Sequence, residues 1–286
     1  MMGIKNLVND NELRQAVKLI NNVNIPSPPQ LLLDLKNELS LLNPDAKKIT
    51  AMISKDIGLA SQLIKVLNSP FYGLEVEVTS IEHAISLLGL EKFNSVILQP
   101  AYHQALSQTV EGFSSISEHS HNIGLIAELI ANELETDQQG LFYLAGLFHD
   151  VGALVLALNY PDYLELSEKN TLHPITLPLW EKEKYQVSHA AIGVLLAKKW
   201  GLSNTICNAI YLHHHLYATY RKEVGFESVT LAAVLQLADY FSSKKLEAYD
   251  VDASVEYGLI YNNAVKELML TESNLAQINE EISLFF

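Results

Sequence analysis

A histidine followed directly by an aspartate, His149-Asp150, ends an apolar segment that spans residues 141–148. Side by side, a neutral imidazole and a carboxylate offer one nitrogen and one oxygen ligand to a borderline or hard divalent cation. Two ligands cannot enclose a metal ion, so the remaining ligands must come from other helices, as they do in helical-bundle metal sites. Suitable side chains occur elsewhere in the chain, and these are His119, His189, His213, His214 and Asp239.

Each histidine taken alone also has an explanation that involves no metal. A His-Asp pair at the C-terminal end of a helix is favoured by the helix dipole. His189 follows Ser188, a good N-cap residue, and could lie on an exposed first turn. The run His213–His215 could lie on the solvated surface at the end of a helix, with at most two adjacent members sharing a site. His119 could belong to a helix cap with solvated imidazoles.

Asp239 is the hardest of these residues to explain without a partner. It interrupts the apolar segment Leu235-Gln236-Leu237-Ala238-Asp239-Tyr240, and a carboxylate inside an apolar helix needs a compensating group. If Asp150 and Asp239 were close without a cation, they would repel each other and one would tend to take up a proton. We therefore predict that His119, His149, Asp150 and Asp239 converge, with His189 and His213 nearby and His214 as the alternative to His213.

The composition limits the classes of protein to which the chain can belong. Its 286 residues are 49% hydrophobic and carry a formal net charge of -14. This charge disfavours broad nucleic-acid binding, although a small phosphorylated ligand could bind beside a metal ion. The single cysteine, Cys207, excludes a disulfide within the chain. The first residues lack the apolar core of a signal peptide, and no run approaches a membrane span, so we expect a cytoplasmic protein without a membrane segment.

Helical punctuation recurs along the chain, without a convincing hairpin signal. The pattern predicts helices near residues 11–19, 30–42, 46–54, 115–134, 138–148, 152–158, 188–200, 203–214 and 228–243. Asn43 and Pro44 are the predicted start of the third helix, and the capping-box pattern Thr79-Ser80-Ile81-Glu82 opens a short helix that Gly89 closes. The stretch Gln108–Ser117 is the best boundary candidate. We predict an all-α fold with an N-terminal helical lobe, residues 1–110, packed on a second helical lobe, residues 111–286.

Several segments resemble one superfamily. Gly146-Leu147-Phe148-His149-Asp150-Val151-Gly152 is similar to the signature of the HD metal-dependent phosphohydrolases, and His119 matches their leading histidine. Five further segments resemble the HDOD (HD-related output domain) branch in particular. They are Ile53–Leu59, Asn68-Ser69-Pro70-Phe71-Tyr72-Gly73, Thr79–Gly89, Glu183 with His189–Gly193, and Trp200–His214. The Asn-Ser-Pro-Phe-Tyr-Gly element is the most specific of them. The resemblance covers roughly Pro26 to His214 and implies an HD-like helical fold.

The resemblance also implies a ligand set. His119, His149, Asp150 and Asp239 would hold a divalent cation (Fe, Mn, Ni, Mg or Zn), and His189, His213 and His214 would hold a second ion or a phosphate. The related HD-GYP cyclic-di-GMP phosphodiesterases carry a Gly-Tyr-Pro element after the paired histidines and a lysine where Ala153 stands, and both features are missing here. Many HDOD proteins have lost the ligands and act as regulatory modules, whereas this chain retains every candidate ligand type in order.

Three functions remain open from the sequence. The favoured one is a bacterial signalling output module, non-catalytic but able to bind metal. Because the sequence contains no receiver, cyclase or sensor segment, such a module would take its signal from a separate, unidentified signalling protein. The alternative is a divalent-metal-dependent phosphohydrolase that acts on a nucleotide or another phosphate ester. The third is a scaffold that docks partners through its apolar C-terminal segment.

Overall fold

The structure, a computed structural model, describes residues 8–23, 30–69, 72, 74, 76–107, 113–136, 139–169, 174–216, 221–245 and 254–285. Within these ranges all regular secondary structure is helical, in sixteen helices without a strand, which confirms the all-α prediction. The chain divides into two compact units. The smaller unit contains the described residues from 30 to 107. The larger unit contains the first helix, α1 (Asp10–Asn22), and the described residues from 113 to 284.

The smaller unit is built from four helices. They are α2 (Gln30–Leu39), α3 (Ala46–Ile53), α4 (Ile57–Leu67) and α5 (Ile81–Ser107). Their apolar faces meet in a core that includes Leu32, Ile49 and Leu63. Asp45, rather than the predicted Asn43, is the N-cap of α3, because its carboxylate accepts hydrogen bonds from the first-turn amides of Lys47 (2.9 Å) and Lys48 (3.3 Å).

Two sequence features of the smaller unit have visible roles. Ser80 caps α5 by accepting a hydrogen bond from the amide of His83 (3.1 Å), and Gly89 breaks this helix with a φ of 75°, as the sequence predicted. Asn68, from the most specific HDOD-like element, binds both backbone groups of Val78. Its Oδ1 accepts from the Val78 amide (2.7 Å) and its Nδ2 donates to the Val78 carbonyl (2.8 Å), which ties the end of α4 to the segment before α5.

In the described residues, the larger unit contains α1 and eleven further helices. The eleven are α6 (Phe113–Glu133), α7 (Gln139–Phe148), α8 (Val151–Asn159), α9 (Tyr163–Lys169), α10 (Thr176–Tyr185), α11 (His189–Lys199), α12 (Asn204–Leu212), α13 (Arg221–Val224), α14 (Phe226–Lys245), α15 (Val255–Leu268) and α16 (Glu272–Phe285). Six of them (α6, α7, α8, α11, α12 and α14) contain or adjoin the predicted ligands. Helix α6 packs on α7 and α14, and α11 packs on α8 and α12. The predicted helices of this half agree with the observed ones to within about two residues at most ends.

Helix α1 belongs to the larger unit, although its residues were predicted to lie in the first lobe. It packs against α8 and α11. Asn159 Nδ2 donates to the Leu19 carbonyl (3.1 Å), and Gln15 Nε2 donates to the Tyr185 carbonyl (3.2 Å). These contacts hold α1 against the helices that bear the predicted ligands. Half of the predicted boundary, residues 108–112, lies outside the described residues.

One stretch, Gly140–Asn159, is long and apolar enough by composition to cross a bilayer, contrary to the expectation from the sequence. However, 78% of this window is buried inside the unit. His149 and Asp150 form a turn that divides the stretch into α7 and α8. Its apolar character is therefore explained by its place in the core of the larger unit.

Candidate metal centre

Asp150 lies at the middle of a group of six other polar side chains from the larger unit. It occupies the N-cap position of α8, but its side chain makes no capping hydrogen bond, so the carboxylate is available to the neighbouring imidazoles. The two carboxylate oxygens face different histidines. The six neighbours are His119, His149, His189, His213, His214 and Asp239, and together with Asp150 they are called the Asp150 cluster here.

The first side of the cluster surrounds Asp150 Oδ2. His149 Nε2, at the end of α7, lies 3.3 Å from this oxygen, and His119 Nε2, on α6, lies 3.6 Å from it. His119 Nε2 is also 3.7 Å from Asp239 Oδ1 on α14. The structure thus brings together the four residues that the sequence predicts to converge. His119 (32% exposed) and Asp239 (23% exposed) form its solvent-facing edge, whereas His149 is buried.

The second side of the cluster surrounds Asp150 Oδ1. His189 Nε2, in the first turn of α11, lies 3.4 Å from this oxygen, and His213 Nε2, directly after α12, lies 3.5 Å from it. His214 Nε2 is 2.9 Å from His189 Nε2. Both adjacent histidines, rather than one of them, therefore reach the second side.

Three imidazoles are held by their Nδ1 atoms. Nδ1 of His149 donates to the Gly146 carbonyl (2.7 Å), and Nδ1 of His213 donates to the Ile210 carbonyl (2.5 Å). Nδ1 of His189 donates to the carboxylate of Glu181 (2.8 Å). With the proton on Nδ1, a neutral imidazole presents a lone pair on Nε2, and all three Nε2 atoms point toward Asp150. A hydrogen-bond acceptor at the far nitrogen of a histidine metal ligand orients its ring in this way.

Glu181 and Tyr163 are functional residues that the sequence analysis missed. Glu181, on α10, is fully buried and also accepts hydrogen bonds from the His189 backbone amide (2.8 Å) and the Tyr163 hydroxyl (2.5 Å). Burial and this carboxylate hold the pKa of Tyr163 well above its usual range. The resemblance singled out Glu183, but that residue is exposed, and Glu181 is the carboxylate that binds His189.

Burial and neighbouring charges shift the pKa values of the cluster residues in different directions. Burial alone would raise the pKa of Asp150, but His149 and the other imidazoles hold it well below the usual range. Burial raises the pKa of Asp239, and the charge of Asp150 adds to this effect. Burial lowers the pKa of His213 to about 4, which keeps its imidazole neutral. His189 behaves differently, because Glu181 outweighs burial and raises its pKa to about 9.

The donor set fits a divalent cation. Asp150 Oδ1 is buried and has no hydrogen-bond partner among the described residues, although two Nε2 atoms lie near it. Unprotonated Nε2 atoms facing a carboxylate repel it unless a cation or a proton lies between them. For tetrahedral metal–ligand bonds of about 2.0–2.2 Å, neighbouring ligand atoms are separated by about 3.3–3.6 Å, close to the 3.3–3.7 Å found here. Two groups of ligand atoms, each within 4.8 Å of one another, could hold an ion, and both include Asp150.

Close helix crossings at glycines position these ligands. A Cβ on Gly152 would lie 1.9 Å from the His189 carbonyl oxygen and 2.7 Å from the Gly193 amide nitrogen. Helices α8 and α11 therefore touch backbone to backbone immediately beside Asp150 and His189. Similarly, a Cβ on Gly146 would lie 2.5 Å from the Gly124 Cα, so that α6 and α7 cross closely near His149. Side chains larger than hydrogen at these crossings would separate the ligands.

Comparison with known proteins finds a matching family and similar proteins. The family model of the HDOD domain matches residues 25–216. An uncharacterised protein of Treponema pallidum is 28% identical over 219 residues, which are 72% of this chain and 42% of that protein. This chain thus spans less than half the length of that relative.

Two solved structures share the fold. An HDOD domain protein of unknown function from Geobacter sulfurreducens matches with a TM-score of 0.71 and 21% identity, covering 96% of this chain and 98% of the other. A Shewanella amazonensis protein, whose name proposes a phosphohydrolase, matches with a TM-score of 0.69 and 18% identity, covering 94% of this chain and 98% of the other. At these identities the likeness concerns the fold, and it confirms the HD-like architecture.

Proposed function

Since the chain belongs to the HDOD family, we propose that it is a signalling module whose larger unit holds a divalent cation in the Asp150 cluster. The observation that carries the proposal is the set of three imidazoles anchored through Nδ1, with their Nε2 atoms directed at the carboxylate of Asp150, whose Oδ1 is buried. A cluster with five imidazoles and two carboxylates suits iron, nickel, manganese or zinc better than magnesium, which prefers oxygen ligands.

The cluster is suited to a signalling role because its ligands come from separate helices. A cation bound there would connect the ends of α6, α7, α11 and α12 to α14 and to the start of α8. Movement of any one helix would then change the ligand geometry, and occupancy would in turn bias the helix arrangement. We infer that an unidentified signalling protein in the cytoplasm reads or sets this arrangement. Neither broad nucleic-acid binding nor a membrane is part of the proposal.

A metal-dependent phosphohydrolase is the second candidate, because the two oxygens of Asp150 face different groups of imidazoles. A carboxylate between two ligand groups is the arrangement expected of a site for two adjacent ions. When bound, such ions polarise a phosphoryl oxygen and lower the pKa of a bound water. In this chain, His119 and Asp239 would line the open edge where a phosphate ester could approach. Against catalysis, Ala153 stands where HD-GYP enzymes carry a lysine, and their Gly-Tyr-Pro element is missing.

The first test is the metal content of the full chain, purified without chelators and without a histidine tag. We expect one or two equivalents of a transition metal by mass spectrometry. An Asp150→Asn variant should lose the metal, because an amide nitrogen beside the Nε2 atoms removes the central charge while preserving shape. Asp162→Asn is the matched control, since Asp162 is 63% exposed and lies 4.0 Å from Lys184 on the surface. Equal metal content in both variants would rule out the Asp150 cluster as the site.

The second test separates the module from the enzyme. The metal-loaded chain should leave cyclic dinucleotides, nucleotides and simple phosphate esters uncut with manganese, iron, nickel or magnesium present. Turnover that disappears in Asp150→Asn but persists in Asp162→Asn would replace the module by the hydrolase. A rate that both variants retain would come from a contaminant.

A further inference from the structure

A second polar site lies in the larger unit, where α1 meets the C-terminal part of α10. A cavity of about 650 Å³ opens there, a size within the usual range of small-molecule sites. Its lining includes three cationic side chains, Arg14, Lys18 and Lys182, and one carboxylate, Glu12. We propose that this cavity binds the oligophosphate group of a small ligand, either a nucleotide or an inorganic polyphosphate.

The cations of α1 are arranged to meet an anion. Arg14 and Lys18 are four residues apart, so they project from the same face of the helix, where like charges repel each other. In the part of the chain that the structure describes, neither of them forms an ion pair. A multiply charged anion in the cavity would relieve their repulsion. A monovalent anion would offset it less well.

The carboxylate in the lining, that of Glu12, already accepts hydrogen bonds within the protein. Glu12 is only 3% exposed and accepts hydrogen bonds from the Ser188 amide (3.1 Å) and the Ser188 hydroxyl (2.8 Å). Lys182 Nζ lies 3.5 Å from the same carboxylate, which holds this lysine beside the cavity at 31% exposure. With the Glu12 carboxylate counted as one negative charge, the three cationic side chains still give the cavity lining a formal net charge of +2.

Neutral amides complete the lining. Gln186 has a left-handed backbone with a φ of 64° directly after α10, and it lines the cavity together with Asn11. Amide groups can donate hydrogen bonds to phosphate oxygens without adding charge. Because the whole chain carries a net charge of -14, its long-range field repels anions. Binding of an oligophosphate would therefore depend on these local groups.

Isothermal titration calorimetry with tripolyphosphate and with ATP tests the proposal on the full chain after removal of divalent metals. We expect saturable binding that weakens at least about tenfold in the double variant Arg14→Gln/Lys18→Gln, and that also weakens in Lys182→Gln. The matched control is Lys198→Gln/Lys199→Gln, which removes the same charge from exposed positions at the end of α11 and should bind like the unaltered chain. Thermal melting should show that Arg14→Gln/Lys18→Gln remains folded, since both side chains are exposed.

The two ligands distinguish the sources of the phosphate. Tighter binding of ATP than of tripolyphosphate would indicate a nucleotide, and equal binding would indicate a bare polyphosphate; both support the site. An absence of binding at millimolar concentration would overturn the proposal. So would equal weakening in the two double variants, which indicates general charge attraction, or unchanged affinity in Arg14→Gln/Lys18→Gln, which indicates another site.

Discussion

Replacement of Gly152 by alanine should disrupt both the fold of the larger unit and its candidate metal centre. The added Cβ would lie 1.9 Å from the His189 carbonyl oxygen. Restoring an ordinary contact of about 3.5 Å requires α8 and α11 to separate by about 1.6 Å. The obstructing atoms are backbone on both helices, so side-chain rotation cannot relieve the clash.

The same separation acts directly on the ligands. His189 Nε2 and Asp150 Oδ1 are now 3.4 Å apart. A movement of this size along the line between them would lengthen the distance toward about 5 Å, whereas two ligands of one cation can be at most about 4.2 Å apart. We therefore expect Gly152→Ala to lose metal from the second side of the cluster. Overpacking of this severity should destabilise the unit by about 3 kcal/mol or more, and so lower Tm by roughly 6–12 °C.

Two other glycines provide a graded control for this prediction. A Cβ on Gly258, in α15, would meet no atom within 4 Å, so Gly258→Ala should be neutral or stabilising by up to about 1 kcal/mol. A Cβ on Gly193 would lie 3.1 Å from Ile210 Cγ2, a side-chain atom that can move, so Gly193→Ala should have an intermediate effect. Differential scanning calorimetry and metal analysis would establish the order. If Gly152→Ala melts like Gly258→Ala, or keeps its full metal content, the crossing does not set the ligand geometry.

Two further predictions concern the cluster. Glu181→Gln should weaken metal binding by about 10- to 100-fold in a competition assay with a chromogenic chelator, because it removes the charged acceptor of His189 Nδ1. Tyr163→Phe removes only one hydrogen bond to Glu181, so it should weaken metal binding less. A larger loss of metal binding in Tyr163→Phe than in Glu181→Gln would contradict the role of Glu181 as the acceptor that orients His189. Addition of cation at a hundred times its Kd to the metal-free chain should stabilise it by about 2.7 kcal/mol, raising Tm by roughly 5–11 °C. Asp150→Asn should show no such rise, and an equal rise in that variant would place the ion elsewhere.

The sequence predicted the ligand types better than the residues that hold them in place. Asp239 stood out because it interrupts an apolar helix, His149 because it ends an apolar segment next to Asp150, and His119 because it matches the leading histidine of the HD signature. Glu181 did not stand out, because it lies in the run Trp180-Glu181-Lys182-Glu183-Lys184, which has the composition of a solvated surface. Its burial depends on how α10 packs beside α11, and that is a tertiary property. No local pattern distinguishes Glu181 from the exposed Glu183.

The helices were predictable wherever a local signal exists. The helix start within Thr79–Glu82 and the break at Gly89 depend only on neighbouring residues, and the structure has both. The start of α3 was misplaced because three consecutive residues are all compatible with a helix start, and only the side-chain geometry of Asp45 selects one. The membership of α1 in the larger unit could not be predicted either. It depends on long-range contacts such as the buried one between Glu12 and Ser188, which are 176 residues apart.

The energetics of the Asp150 cluster argue that it serves a purpose beyond packing. The helices around it already supply an apolar core, for example through Phe148, Leu154 and Trp200, which are all buried. A buried polar cluster is expensive to desolvate, and apolar side chains of similar volume often stabilise a fold as well or better. Asp150 Oδ1 has no hydrogen-bond partner among the described residues, and Glu181 outweighs burial and raises the pKa of His189 to about 9, so that His189 carries a proton at neutral pH. Because ligands must be deprotonated to bind a metal, a cation would take the place of that proton and satisfy the Asp150 oxygen at the same time. The fold alone does not require this arrangement, whereas cation binding accounts for each of its members.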